Sequence, residues 1–163
     1  MLSQQQMEQV VALSRQWADR SPDRILFERS ELEPEFKRQI ALQVALLPKM
    51  QRKMPRFAEC GGYIPHRVNF EQSSSELTAR YKQQLIEPQE HILDMTGGLG
   101  IDALAMASVS ELSVIYEIDP TMAEALTYNL HKILQQDHIM VHCGDALAAM
   151  ERATLEGITL IYA

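Results

Sequence analysis

The stretch HILDMTGGLGIDALAMA, His91 to Ala107, sets Gly97, Gly98 and Gly100 between a short apolar run and a longer one. Ile92 to Met95 is too short for a helix and is closed by glycines, which predicts a strand. Gly100 to Ser108 carries its apolar residues at helical spacing and predicts a helix. A strand that ends in glycines and opens directly into a helix leaves a crevice at its carboxyl end, because a turn without Cβ atoms lets a ligand approach the backbone. Asp94 and Asp102 flank that turn.

Downstream the alternation continues. Leu112 to Glu117 reads as a strand, Pro120 to about Gln136 as a helix capped by Asp119, and Ile139 to His142 as a strand. Ala146 to Arg152 then reads as a helix and Ile158 to Tyr162 as a fourth strand. This β-α-β-α-β-α-β order predicts a parallel sheet with right-handed crossovers.

Upstream the chain reads as helices. Ser3 caps a segment from about Gln4 to Ala18, Ser21 with Pro22 marks a second start, and Pro34 opens a third helix that Pro48 is expected to end or kink. Helical spacing resumes from Lys49 to Arg56 until Pro55 disturbs it, and CGGYIPH, Cys60 to His66, reads as a loop. Ser73 followed by Glu76 matches a capping box, so Ser74 to Ile86 is expected to be a helix, with Leu77, Tyr81 and Leu85 on one face. A boundary falls near Pro88: a helical region over 1–88, then an α/β region over 89–163.

Charge divides the chain at the same place. Residues 1–90 hold 13 Lys and Arg against 12 Asp and Glu; residues 91–163 hold only Lys132 and Arg152 against ten carboxylates. The net charge of −7 therefore sits in the second part. No apolar run approaches the roughly 20 residues of a membrane span. MLSQQQMEQVV lacks the basic-then-apolar build of a secretory signal. Cys60 and Cys143 form no disulfide framework or four-cysteine metal site, and the histidines show no metal-ligand spacing. A reducing cytoplasm is the expected location.

The chemistry of the crevice follows from its side chains. The dinucleotide pattern G-x-G-x-x-G is met only in part, since Ala103 holds its last place. A phosphate loop would need a lysine after its last glycine, and no Lys or Arg lies between His91 and His131. Three acids mark the strand ends instead: Asp94 before the glycines, Glu117 at the end of the second strand, and Asp145 after the third. They suit a ligand with positive charge, a ribose diol and adenine but no phosphate, which describes S-adenosylmethionine. Plainer roles stay open for each: Glu117 as a solvated strand end, Asp145 as a helix cap, Asp102 as a brace of the turn.

Asp94, Gly98 and Gly100 as D-x-x-x-G-x-G resemble motif I of class I methyltransferases, with Glu117 in the place of the ribose acid and Asp145 in that of the acid near adenine. DMTGGLGIDA is also similar to a motif of a bacterial 16S rRNA guanine-N2 methyltransferase family. Taken with EQSSSELTARYK, it is more similar to a bacterial methyltransferase family with a helical N-terminal region and a THUMP-like C-terminal domain. The resemblance covers about Ile92 to Ala163. It implies an α/β fold, with the first half of a Rossmann-like sheet truncated after the fourth strand. It implies S-adenosylmethionine held by Asp94, Thr96, Gly97, Gly98, Gly100, Asp102, Glu117 and Asp145. Ser73 to Glu76 would lie near the cofactor and Lys82 would be a contact.

By the same resemblance the substrate is a base in RNA, ribosomal or transfer, and the catalytic motif IV lies beyond Ala163, so that the 163-residue fragment is expected to be inactive. Lys49, Arg52, Lys53 and Arg56 are candidates for RNA phosphates, although a solvated helix face explains them as well. An NAD-binding oxidoreductase and a non-catalytic ligand- or RNA-binding module are the alternatives. No metal is expected.

Overall fold

The computed structural model describes residues 2–135, 137–151 and 157–163. Serine caps open the first two helices, whereas the third starts at a proline without a side-chain cap. Ser3 and Gln6 form a reciprocal capping box that opens α1, Gln4–Gln16. Ser21 accepts from the Arg24 N–H at the start of α2, Pro22–Phe27. α3, Pro34–Lys53, continues past Pro48, so the proline does not end the helix. Proline inside a helix costs about 3 kcal/mol, but Leu46, Met50 and Met54 lie on one buried stripe of this segment. Burying each such side chain contributes about 1.5–3 kcal/mol, so the stripe outweighs the proline.

The segment 55–86 departs most from its sequence reading. Two short helices, α4 (Pro55–Cys60) and α5 (Arg67–Gln72), were not predicted. The capping box of Ser73 and Glu76 does not form. Ser75 caps α6, Glu76–Gln83, by accepting from the Thr78 N–H. Glu76 turns away and accepts from the Phe57 N–H at 2.8 Å, which satisfies an orphan donor of α4. Leu77, Tyr81 and Leu85 are solvent-exposed, and α6 buries Ala79 instead. The period of four was real, but the face it marks is the outer one.

From residue 91 the expected alternation appears. β1 (His91–Asp94), α7 (Ile101–Ala107), β2 (Leu112–Glu117), α8 (Pro120–Ile133), β3 (Ile139–Cys143), α9 (Ala146–Met150) and β4 (Leu160–Tyr162) follow in order. The expected helix ends at Gln136 and Arg152 lie outside the described residues. The strands form one parallel sheet in the order β3-β2-β1-β4, with Asp94 paired to Ile115 on one side and to Tyr162 on the other. The chain winds outward from β1 to β3 and then returns to the far side of β1. The winding therefore reverses at β1, and ligands of open α/β sheets bind at such a reversal, outside the carboxyl ends of the strands.

The helical region is seated on α7 and α8. One buried cluster joins Leu46, Phe57 and Ile64 to Leu99, Ile101 and Met122; a second joins Met7, Val10 and Ile40 to Ala125 and Tyr128. Asn129, fully buried, stitches the seam with polar bonds. Its Oδ1 accepts from the Tyr63 N–H at 2.8 Å and its Nδ2 donates to the Tyr63 carbonyl at 3.0 Å.

Candidate functional site

The glycine turn sits at the reversal point, and its three glycines do different work. A Cβ on Gly97 would stand 2.5 Å from Leu126 Cδ2 and 2.7 Å from Ile115 Cγ2. A Cβ on Gly100 would stand 2.6 Å from Leu126 Cδ1, and Gly100 has φ +84°. These two let α8 and the sheet close against the turn. Gly98, with φ +54°, has only the Thr96 carbonyl within 4 Å of its missing Cβ. It is the glycine that leaves open space.

Glu117 holds this open glycine. Its Oε2 accepts from the Gly98 N–H and its Oε1 from the Asp119 N–H, both at 2.9 Å. The carboxylate is thereby fixed in direction, and each oxygen keeps a second lone pair. Asp94 is only 2% exposed and accepts from the Thr96 N–H at 2.9 Å. Burial pushes its carboxyl up to about 6. The Thr96 N–H opposes that rise, and the charges of Asp102 and Glu117 add to it.

Asp102 ties α7 to α6 and β4. Its Oδ2 accepts from Ser74 Oγ at 2.8 Å, Lys82 Nζ at 2.8 Å and Tyr162 OH at 2.9 Å. Lys82 also donates to Tyr162 OH at 2.6 Å. Burial alone would weaken the hold of Lys82 on its proton, but the bonds to Asp102 and Tyr162 outweigh it and raise the ammonium above its ordinary value. Lys82 brings a cation to the turn that 91–131 does not supply, and Asp102 already engages it.

A cleft of about 170 Å³ opens between the turn and the α5–α6 junction. Thr96, Gly97, Gly98, Gly100 and Asp102 line one wall; Asn69, Gln72, Ser73 and Ser74 line the other. Two buried acceptors of this lining, Asn69 Oδ1 and Asp102 Oδ1, have no hydrogen-bond partner among the described residues. A buried acceptor left unmatched costs about 1–3 kcal/mol, so the cleft favours an occupant that brings N–H groups, and a cationic one above all.

The structure thus gathers Asp94, Thr96, Gly97, Gly98, Gly100, Asp102 and Glu117 around one turn. Asp145 follows β3 next to this turn, since the Gly144 N–H donates to the Glu117 carbonyl at 2.9 Å; it is exposed and caps α9 through the Leu147 and Ala148 N–H groups. Lys49 and Arg52 are exposed on α3, and Arg56 on α4. Lys53 is turned inward, donating to the Phe70 carbonyl at 2.6 Å and lying 4.9 Å over the Phe70 ring. Asn69, Gln72 and Tyr162 escaped the sequence reading, since nothing local marks a polar residue whose neighbours come from another layer. Among the described residues no cluster of His, Cys, Asp or Glu could hold a metal ion. No helix among them is long and apolar enough to cross a membrane.

Comparison with known proteins points one way. Residues 2–46 match a family model described as "N-terminal domain in putative methyltransferase". The fold resembles the crystal structure of a "putative methyltransferase" from Porphyromonas gingivalis W83, with a TM-score of 0.82 and 30% sequence identity. The match covers 93% of this chain and 38% of that one, so the chain spans well under half the length of its structural relative. No curated protein matches the chain significantly. Both similarities, one to the first helices and one to nearly the whole chain, are to proteins described as putative methyltransferases, and the parallel sheet is the Rossmann-like one expected.

Proposed function

We propose that the chain forms the cofactor-binding part of an S-adenosylmethionine-dependent methyltransferase that modifies a base in RNA. The observation that carries this reading is the pair of unmatched buried acceptors, Asn69 Oδ1 and Asp102 Oδ1, lining a cleft at the glycine turn. An ammonium brings the donors they lack. Asp94, buried among like charges, also gains from a cation nearby. Glu117, already oriented by two backbone N–H groups, is suited to accept from the hydroxyls of a ribose. A pyrophosphate would find less, since the Lys82 cation is engaged by Asp102.

When bound, S-adenosylmethionine supplies an electrophilic methyl group on a sulfonium. The chain's own residues bind and orient: Gly98 gives close backbone approach, Glu117 fixes the turn, and the Asp102–Lys82–Tyr162 cluster holds α6 against the cleft. Positioning of this kind is the main protein contribution to a transfer whose chemistry resides in the cofactor. The RNA reading is supported by the exposed cations Lys49, Arg52 and Arg56 on the helical layer.

Calorimetry with S-adenosylmethionine, S-adenosylhomocysteine and NAD tests the cofactor. The two adenosyl compounds are expected to bind and NAD is not; binding of NAD alone would overturn the reading. Glu117→Gln keeps one acceptor for the turn and is expected to weaken the adenosyl compounds about tenfold, the loss of a charged hydrogen bond. Unchanged affinity in the folded variant would remove Glu117 from the site.

A further inference from the structure

Three large apolar side chains stand in water on the outer side of α6. Leu77 is 80% exposed, Tyr81 65% and, in the turn just beyond the helix, Leu85 67%. A single exposed leucine is ordinary, but three apolar groups in line at helical spacing mark an interaction surface. The charges around them are of one sign. From 77 to 86 the sequence holds Arg80 and Lys82 and no acid, in a chain of net charge −7. Glu76 is turned inward to the Phe57 N–H, and Lys82 is turned inward to Asp102. Arg80 is exposed, and so is Arg56 of α4; both line one narrow cleft of about 80 Å³, which brings them to the same part of the surface. Neither guanidinium is among the ion pairs of the described residues.

An aromatic and aliphatic strip bordered by free guanidiniums fits a partner that is flat and apolar on its faces and anionic along its length. We propose that the outer face of α6 is a platform for single-stranded RNA, with bases against Leu77, Tyr81 and Leu85 and backbone phosphates on Arg80 and Arg56. Bases stack on aromatic side chains whatever their sequence, and the forked donors of arginine match phosphate oxygens. A duplex fits less well, because its bases are already stacked on one another. A second copy of the chain also fits less well, because two such faces laid together would bring like charges together. The eight residues of α6 span about 12 Å, the length of about three stacked bases. The platform leads to the cofactor cleft: Ser74, two residues before α6, lines that cleft, and Lys82 is bonded to both Ser74 and Asp102. A strand lying along α6 can therefore pass its next nucleotide to the mouth of the cleft. The platform rests on RNA as the substrate, but not on the identity of the cofactor.

The chain is titrated with labelled oligouridylate, with the duplex that oligoadenylate makes of it, and by calorimetry with the adenosyl compounds. The single strand is expected to bind more tightly than the duplex. Tyr81→Ala should weaken it about tenfold and Tyr81→Trp should keep it, since stacking needs only an aromatic face. Arg80→Gln should weaken it with a shallower dependence on salt. Both positions are exposed, so adenosyl affinity should stay the same in all three variants. If the strand binds Tyr81→Ala and Arg80→Gln as tightly as the unaltered chain, or if the duplex binds as tightly as the strand, the platform is overturned while RNA remains the substrate. If no RNA binds the unaltered chain, the platform and the RNA reading fall together. If the adenosyl compounds fail to bind but the strand still responds to Tyr81, only the cofactor reading falls and the platform stands. A dimer that Tyr81→Ala dissociates, with RNA affinity unchanged, would make a second copy the occupant and overturn the proposal.

Discussion

The helical layer and the strand-end loops satisfy their backbone in opposite ways. At the strand ends, carboxylates accept from N–H groups two or three residues ahead: Asp94 from Thr96, Asp119 from Thr121 and Met122, Asp145 from Leu147 and Ala148. In the helical layer, beside the local serine caps at Ser3, Ser21 and Ser75, cations and amides reach far along the sequence to carbonyls. Arg15 donates to the Ala58 and Glu59 carbonyls, Lys53 to the Phe70 and Glu71 carbonyls, and Gln43 to the Ile64 carbonyl. The difference explains the charge asymmetry. Helices of a parallel α/β unit begin after the carboxyl ends of the strands, so unpaired N–H groups crowd there and acids suit them. The short helices α4 and α5 leave carbonyls at their ends, and cations suit those.

The most damaging break in this contrast is expected inside the turn. Gly100→Ala combines overpacking against Leu126 with a left-handed backbone. It should cost about 4 kcal/mol, the sum of ordinary overpacking and positive-φ penalties. Gly98→Ala meets open space and carries only the backbone penalty, about 1 kcal/mol. Urea denaturation of both variants measures the gap. Equal losses would show that these two glycines share one role.

Asp94 gives the next effect, and it depends on pH. Its carboxyl lies near 6 in the folded protein, against 3.8 as its ordinary value. Between those values the folded state holds the extra proton, so stability falls as pH rises from about 4 to 6. The expected contribution is about 3 kcal/mol, full below 4 and lost above 6. Asp94→Asn should abolish that slope and leave the protein more stable at pH 7 but weaker for a cationic ligand. Parallel pH profiles for the two proteins would dismiss the buried carboxyl as their cause.

The seam between the layers follows. Asn129→Ala leaves the Tyr63 N–H and carbonyl without partners in a fully buried place, and a loss of about 2 kcal/mol is expected. If the layers were joined by apolar contact alone, the melting temperature would hardly move.

The same contrast decides what could be read beforehand. The alternation from β1 to β4 and the caps at Ser3, Asp119 and Asp145 are local, so apolar period and residue type reveal them. Glu76 looked like the partner of Ser73 because both lie three residues apart, yet Phe57, 19 residues away, claims it. Pro48 looked like a break because its helix's buried stripe is visible only in three dimensions. At the site, the glycine turn was legible as a chain feature. The opposite wall at Asn69 and Gln72 was not, because another layer brings it there.

Lys53 gives the smallest effect and the sharpest separation of roles. It belongs by sequence to the basic run Lys49, Arg52, Lys53 and Arg56, yet its ammonium serves the carbonyl end of α5. Lys53→Met keeps the apolar stem and removes the donor, so a loss of about 1 kcal/mol is expected, the usual worth of such a bond. RNA affinity should stay level. Arg52→Ala, at an exposed side chain that donates only to the carbonyl one turn before it, should leave stability nearly unchanged and lower RNA affinity with a reduced salt slope. If instead Lys53→Met weakened RNA and left stability intact, the helical layer would be using its cations outward, as the strand ends use none, and the contrast between the two regions would have to be redrawn.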